Sequence, residues 1–145
     1  MKLTTKGRYA VMALADIAKF DLSEPVSLRD ISLRQGISLM YLEQIFLKLK
    51  KNNLVQSSRG SFGGYFLTKS PEQINLSEII HAVEKIKTLG CKKESKKSCT
   101  GKSVKCITHD LWNELELHIN AFLEKNTLKD IIGRTSNTQQ RNLNR

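Results

Sequence analysis

The sequence predicts a mainly α-helical fold with a small β-hairpin wing, arranged as a winged helix-turn-helix followed by a long C-terminal dimerisation helix. Three features of the sequence carry this prediction. Apolar residues recur at helical spacing through the first third of the chain, and a glycine-rich segment between two strand-like runs follows them. A further helical stripe of apolar residues begins at Thr108.

The composition is that of a basic chain long enough to form one hydrophobic core. Its 145 residues include 24 Lys and Arg against 14 Asp and Glu, a net charge of +10 that favours nucleic acid or acidic lipid as partners. The longest apolar stretches, such as residues 10–15, are too short to cross a bilayer, and the N-terminus lacks the plan of a signal peptide. We therefore expect a cytoplasmic protein with no membrane partner.

Two helices joined by a tight turn are predicted after a first helix at residues 9–20. Ser27 begins the second helix in a capping-box-like pattern with Asp30, and Gly36 suits the left-handed residue that closes it. Ser38 can cap the third helix. The apolar face of that helix repeats at i, i+3, i+4 and i+7, with Leu42, Ile45, Phe46 and Leu49.

The outward face of the third helix carries hydrogen-bonding side chains of the types that read base edges in a major groove. They are Tyr41, Glu43, Gln44 and Lys48, and Ser38 at the start of the helix joins them as a candidate DNA contact. On this segment alone, an amphipathic helical hairpin with a solvated face explains the pattern equally well.

The glycine-rich segment that follows favours DNA binding over that alternative. Strand-like residues 54–56 and 65–67 flank residues 57–64, which is the pattern of a hairpin with a long tip. Arg59 stands beside Gly60, where a permissive backbone lets a guanidinium approach phosphates or a narrow minor groove. The alternative is a surface loop with a solvated arginine. A helix-turn-helix and a hairpin in this order in a basic chain favour a wing.

The apolar stripe near the C-terminus predicts a helix that needs a partner. It packs either on the chain's own core or on the same helix of a second subunit, and we favour a homodimer, which matches a palindromic operator on double-stranded DNA. The stripe consists of Leu111, Trp112, Leu115, Ile119, Phe122 and Leu123.

These patterns divide the chain into three parts. Residues 1–70 form the predicted winged helix-turn-helix DNA-binding region, and residues 71–132 contain a cysteine-rich loop and the dimerisation helix. Residues 133–145 have no apolar periodicity, which predicts a disordered tail.

Four metal-ligating residues, Cys91, Cys99, Cys106 and His109, follow one another with the spacing C-x7-C-x6-C-x2-H. Thiolates and imidazole are the donors that iron-sulfur clusters and zinc prefer. Six lysines in the same segment would offset the negative charge of a cluster, although they fit phosphate binding as well. A structural zinc site and a Cys-His nucleophilic pair are the alternatives. We expect no catalytic residues, no small-molecule substrate and no enzyme activity, because the segment offers no orienting acid or oxyanion donors.

Several motifs in order resemble the IscR family of winged-helix iron-sulfur cluster assembly regulators. They are residues 3–10 (LTTKGRYA), 30–32 (DIS), 35–39 (QGISL) and 41–44 (YLEQ), and the Arg59-Gly60 turn, the Gly63-Gly64-Tyr65 step and the cysteine segment complete a likeness that extends to residue 132.

The resemblance implies a cytoplasmic homodimer that represses or activates genes for iron-sulfur cluster biogenesis. It implies a 2Fe-2S cluster on Cys91, Cys99, Cys106 and His109, and a DNA interface at Tyr41, Glu43, Gln44 and Arg59. Other winged-helix relatives sense nitric oxide, cysteine supply or redox state, so structural zinc or a thiol-based sensor is the alternative for the same loop.

Two departures from the family pattern concern DNA preference and the loop. The intervals between the cysteines are longer than those of the family, and Met40 replaces the small polar residue that usually precedes Tyr41.

Overall fold

The computed structural model describes residues 3–20, 22–90 and 105–134, and in this part of the chain the predicted helical fold with a small hairpin is confirmed. The elements are α1 (Thr5–Ala18), α2 (Leu28–Gln35), α3 (Leu39–Lys51), β1 (Val55–Ser58), β2 (Gly64–Leu67), a 3-10 turn (Pro71–Gln73), α4 (Leu76–Val83) and α5 (His109–Lys125). Residues 128–134 are helical as well, so helix enters the segment predicted as a tail, whose residues 135–145 lie outside the described ones.

Helix α1 begins earlier and ends earlier than its apolar spacing predicts. Its first turn is polar, and the backbone amide of Thr4 donates to the Glu84 carboxylate over 3.4 Å. The Thr4 hydroxyl donates to the same carboxylate. An acceptor eighty residues away in the sequence therefore serves the start of α1, which no local pattern reveals.

One hydrophobic cluster joins the two predicted regions. Phe46 of α3 is fully buried, and its ring meets the Tyr65 ring of β2 at 4.8 Å between centroids. The same cluster contains Ile74, Ile79 and Leu128, which follow the wing in the sequence. Residues 1–70 therefore share their core with α4 and residue 128.

A buried carboxylate fixes α2 against α1. The Asp16 side chain is 3% exposed and accepts hydrogen bonds from Nη2 of Arg34 at 2.7 Å and Nε2 of Gln35 at 2.8 Å. Nε of Arg34 also donates to the carboxylate at 3.1 Å, and these bonds to Asp16 raise the pKa of the guanidinium above its ordinary value. The guanidinium lies 4.4 Å from the centre of the Phe20 ring. The carboxylate is thus fully paired, as a charge in this position requires.

The caps of α2 and α3 follow the predicted pattern in part. Ser27 Oγ accepts from the Asp30 amide at 3.1 Å, and Gly36 closes α2 with φ +65° and an amide bonded to the Ser32 carbonyl. Ser38 occupies the N-cap position of α3, but the prediction that it caps is wrong because its side chain makes no cap hydrogen bond. Its hydroxyl instead lies on the exposed surface at the start of α3.

The wing is attached to the start of α2. Strands β1 and β2 are antiparallel, with Val55 opposite Leu67 and Ser58 opposite Gly64. Val26, just before α2, exchanges two backbone hydrogen bonds with Tyr65 of β2, at 3.0 and 2.8 Å. A Cβ on Gly64 would lie 2.8 Å from the Ser27 amide nitrogen, so the two backbones approach this closely because residue 64 has no side chain.

The predicted apolar stripe divides into two parts on α5. Leu123 is buried against the chain's own core, whereas Leu111, Leu115 and Phe122 are 55%, 42% and 54% exposed. The helix begins at His109 and Trp112 Nε1 donates to Thr108 Oγ1 at 3.0 Å. In the described ranges, no helix combines the length and hydropathy needed to span a membrane.

The pairing of Asp16 with Arg34 predicts that removal of the Arg34 cation lowers the stability of the fold considerably. Arg34→Met should lower the free energy of unfolding by about 3 kcal/mol, because it leaves a buried carboxylate short of its main partner. Urea unfolding followed by circular dichroism measures this value. Arg29→Met, on the exposed side of the same helix, should change it by less than about 0.5 kcal/mol.

A double variant separates this cause from lost packing. Asp16→Leu combined with Arg34→Met removes both charges and should recover most of the lost stability. Additive losses in the double variant would contradict the assignment.

Candidate nucleic-acid interface

Helix α3 presents two of the predicted contact residues directly to solvent. Glu43 and Gln44 are exposed, while the residues on the opposite side of the helix are buried: Leu42, Ile45, Phe46 and Leu49. The buried side fixes the rotation of the helix, so the carboxylate and the amide stay on its outer surface. Met40 and Leu47 are exposed on the same helix as well. They were not among the predicted contacts, because only hydrogen-bonding side chains were selected from the sequence.

Tyr41 has a different position from these two residues. It is half-buried, and its ring meets Tyr9 of α1 edge-on, with 5.5 Å between the ring centroids and 82° between the planes. This geometry is a favourable aromatic pair. The Tyr41 ring thus holds α3 against α1 at the edge of the predicted interface.

Lys48 contacts α4 rather than only solvent. Its Nζ donates to the carbonyl of Val83 at 3.0 Å, and Asn52 Nδ2 lies 3.4 Å from the carbonyl of Ala82. The last carbonyls of a helix lack intrahelical partners and carry the negative end of its dipole, so a cation stabilises them. Two side chains of α3 therefore cap the C-terminus of α4. Sequence reasoning missed Asn52, because its partner lies thirty residues further on.

Arg59 lies on the wing beyond the last strand pair. It is exposed, as predicted, and Gly60 next to it has φ +119°, which L side chains rarely adopt. The Gly63 amide donates to the Gly60 carbonyl at 3.0 Å and closes the tip. Phe62 in this tip is exposed as well. It was not among the predicted contacts, because only polar side chains were selected from the sequence.

Cys106 and His109 meet in one turn at the start of α5. The His109 amide donates to the Cys106 carbonyl at 3.1 Å, and both residues are half-buried. Cys106 Sγ lies 3.9 Å from Thr108 Oγ1. The x2 spacing thus places Cys106 and His109 within one turn at the start of α5, and their role as two ligands of one site stays a prediction.

The other two predicted ligands, Cys91 and Cys99, lie outside the described residues. The residue before Cys91 is described, and it approaches the same helix. A Cβ on Gly90 would lie 2.7 Å from Oδ1 of Asn113, one helical turn after His109. Gly90 therefore lies near the face of α5 that carries His109. Among the described residues, no group of three His, Cys, Asp or Glu could hold a metal ion.

The comparison with protein families decides what kind of protein this is. The model of the Rrf2 family, described as an iron-dependent transcriptional regulator, matches residues 3–134. The chain belongs to the Rrf2 family. A curated relative, the HTH-type transcriptional regulator IscR of Cronobacter sakazakii, is 49% identical over 133 residues, or 91% of this chain and 80% of the relative.

Solved structures of Rrf2-type regulators have the same fold. IscR of T. potens superposes with a TM-score of 0.79 at 34% identity, covering 96% of this chain and 91% of that one. CymR, the global cysteine regulator of B. subtilis, gives a TM-score of 0.78 at 29% identity, covering 92% and 98%. The predicted winged helix-turn-helix and the resemblance to IscR are confirmed. This Rrf2 protein is a transcriptional regulator, as are these relatives, and not an enzyme.

The contact between Lys48 and Val83 generates a test of what Lys48 does. Lys48→Met should lower the free energy of unfolding by about 1 kcal/mol, because a partly exposed charged hydrogen bond to a helix terminus is lost. The slope of log affinity for duplex DNA against log salt concentration should not change, because no phosphate contact is lost.

Lys51→Met is the matched control, since Lys51 is an exposed lysine of the same helix. Its stability should match that of the unmodified chain. A salt slope reduced by about 1 in Lys48→Met, without loss of stability, would instead identify a phosphate contact.

Proposed function

We propose that the chain is a sequence-specific DNA-binding regulator of iron-sulfur cluster biogenesis genes, whose DNA binding is modulated by a 2Fe-2S cluster. It acts in the cytoplasm as a homodimer on palindromic operators. The observation that carries this proposal is the combination of an exposed recognition surface on α3 and the wing with a Cys106-His109 turn in the same small fold.

DNA reading is assigned to α3 and the wing. Glu43 and Gln44 on the exposed side of α3, with Ser38 at its start, are placed to face a major groove, and Arg59 enters the adjacent minor groove. Tyr41 and Lys48, which contact α1 and α4, contribute by holding α3 in position. The net charge of +10 supplies the sequence-independent attraction to phosphates.

The homodimer is assigned to α5. Leu111, Leu115 and Phe122 each leave about half of a large apolar side chain in water, and they share one side of the helix. An apolar surface of this kind on a small chain marks an interface. The same surface on a second copy is self-complementary under a two-fold axis, which gives two recognition helices related as the halves of a palindrome.

The donor set fits a 2Fe-2S cluster. Cys106 and His109 share a turn, and Gly90, which precedes Cys91 in the sequence, lies near Asn113 on the face of α5 that carries His109. Cys91, Cys99, Cys106 and His109 would hold the cluster. When bound, the cluster would make the state of the protein dependent on iron, sulfide and redox conditions. The family description as iron-dependent and the likeness to IscR support this choice.

The chain's own residues connect the cysteine segment to the DNA-binding helix. Helix α4 ends at Val83, and Lys48 of α3 and Asn52 at the end of α3 hold its last carbonyls. The next residue, Glu84, accepts from Thr4 at the start of α1. A displacement of the chain after α4 is therefore transmitted to α3 through the hydrogen bonds of Lys48 and Asn52. It is transmitted to α1 through the Glu84 carboxylate.

The second candidate is a regulator with the same fold and a different sensor. The TM-score with CymR, the global cysteine regulator of B. subtilis, is almost the same as that with IscR. Structural zinc or a thiol-based redox or nitric oxide sensor on the same Cys and His residues would give such a protein. Metal analysis separates the two candidates.

DNA recognition is tested on duplexes that the unmodified protein selects from a random library. Arg59→Ala should weaken binding to the selected duplex by roughly 1 to 3 kcal/mol, which is the value of a good direct contact. Gln44→Ala should reduce discrimination between the selected duplex and its single-base variants more than it reduces non-specific binding. Fluorescence anisotropy at fixed salt measures both effects.

The control for these variants is Arg29→Ala, which removes an exposed arginine from α2. Its loss of affinity should be smaller than that of Arg59→Ala. Equal loss of specific and non-specific binding in Gln44→Ala would reassign Gln44 to the DNA backbone. Failure of the unmodified protein to enrich any duplex would contradict sequence-specific binding.

The cofactor is tested by anaerobic purification with visible absorption and analysis of iron, sulfide and zinc. We expect a coloured protein with near-stoichiometric iron and sulfide. Cys99→Ala, Cys106→Ala and His109→Ala should each lose or alter this absorption, while size-exclusion chromatography still shows a dimer. His118→Ala is the control, because His118 is an exposed histidine of the same helix.

The outcomes distinguish the two candidates. A colourless dimer with one zinc per chain supports structural zinc, and a colourless dimer without metal after anaerobic reconstitution supports a thiol sensor. Unchanged binding of Cys99→Ala to every selected duplex would contradict modulation of DNA binding by the cluster.

A further inference from the structure

A phenylalanine at the tip of the wing has no role in the fold. Phe62 is 93% exposed, whereas Phe122 and Phe20 are 54% and 46% exposed. A phenylalanine ring in water forgoes the free energy that burial would give it. The ring is therefore available for a contact outside the chain.

The backbone holds this ring at the end of the hairpin. The Gly63 amide donates to the Gly60 carbonyl at 3.0 Å, so residues 60–63 form a reverse turn with Ser61 and Phe62 in its centre. A Cβ on Gly63 would lie 2.6 Å from the Ser58 carbonyl oxygen, which means that this closure requires glycine. A closed turn presents the ring with little loss of backbone entropy on binding.

The surroundings of the ring favour DNA as its partner. Arg59 and Phe62 both lie beyond the last strand pair, Ser58 with Gly64, so a cation and an apolar ring share the same tip. The walls of a minor groove consist of apolar sugar edges between phosphates, and proteins that bind it combine arginine with apolar side chains. A wing that inserts Arg59 into this groove brings the ring to its wall.

We propose that Phe62 is an apolar DNA contact of the wing, packing on deoxyribose and base edges in the minor groove beside Arg59. This inference rests on the proposed DNA-binding function and adds a residue that determines affinity without charge. Two residues of the wing tip then have different physical roles. Arg59 contributes a salt-dependent attraction, and Phe62 contributes burial of apolar surface.

The salt dependence of binding separates these roles. Affinities of Phe62→Ala, Phe62→Leu and Arg59→Ala are measured for the selected duplex over a range of salt concentrations. Phe62→Ala should bind about tenfold more weakly at every salt concentration, with an unchanged slope, because an uncharged ring releases no counterions. Arg59→Ala should reduce the slope by about 1. Phe62→Leu should retain most of the affinity.

Ser61→Ala is the control in the same turn and should bind like the unmodified protein. Equal unfolding midpoints of all variants show that the turn is intact. Selection of a duplex by the unmodified protein, followed by binding of Phe62→Ala within twofold of it, would overturn this inference and leave the proposed function standing. If no duplex is selected at all, the proposed function itself fails.

Discussion

The buried carboxylate of Asp16 is the constraint on which the recognition surface depends. A charge removed from water in this way needs full pairing, and Arg34 and Gln35 at the end of α2 provide it. The pairing fixes α2 against α1, and the left-handed Gly36 then fixes the direction in which the chain enters α3. The direction of α3, and with it the exposure of its polar side, therefore depends on a pairing between the two helices before it.

The end of α4 is the second point on which elements far apart in sequence converge. Its carbonyls are capped by side chains of α3, and the next residue, Glu84, serves the start of α1. The last two carbonyls of this short helix thus depend on Lys48 and Asn52 for hydrogen bonds, while the Glu84 amide serves the Ile80 carbonyl. The segment with the predicted ligands begins seven residues after Glu84, at Cys91. In the proposed function, the sensing segment and the DNA-reading helix therefore share this junction.

Features with local causes could be predicted from the sequence, and features with distant partners could not. The Ser27 cap and the Gly36 turn follow from neighbouring residues, and the structure has both. The pairing of Lys48 with Val83 requires knowledge of how α3 packs on α4, so residue type suggested solvent or DNA instead. Tyr41 is a similar case, because a tyrosine suits an aromatic pair as well as a groove, and its place in the DNA interface stays a prediction.

The attachment of the wing has a consequence for how related regulators diverge. Gly63 and Gly64 lie where a side chain would meet backbone atoms, so these two positions tolerate little change. Ser61 and Phe62 lie between them and Gly60, point away from the fold and make no contribution to its core. If the wing binds DNA as proposed, substitutions at 62 alter the surface offered to DNA at little cost in folding, which gives gene duplicates a short evolutionary route to different DNA affinities.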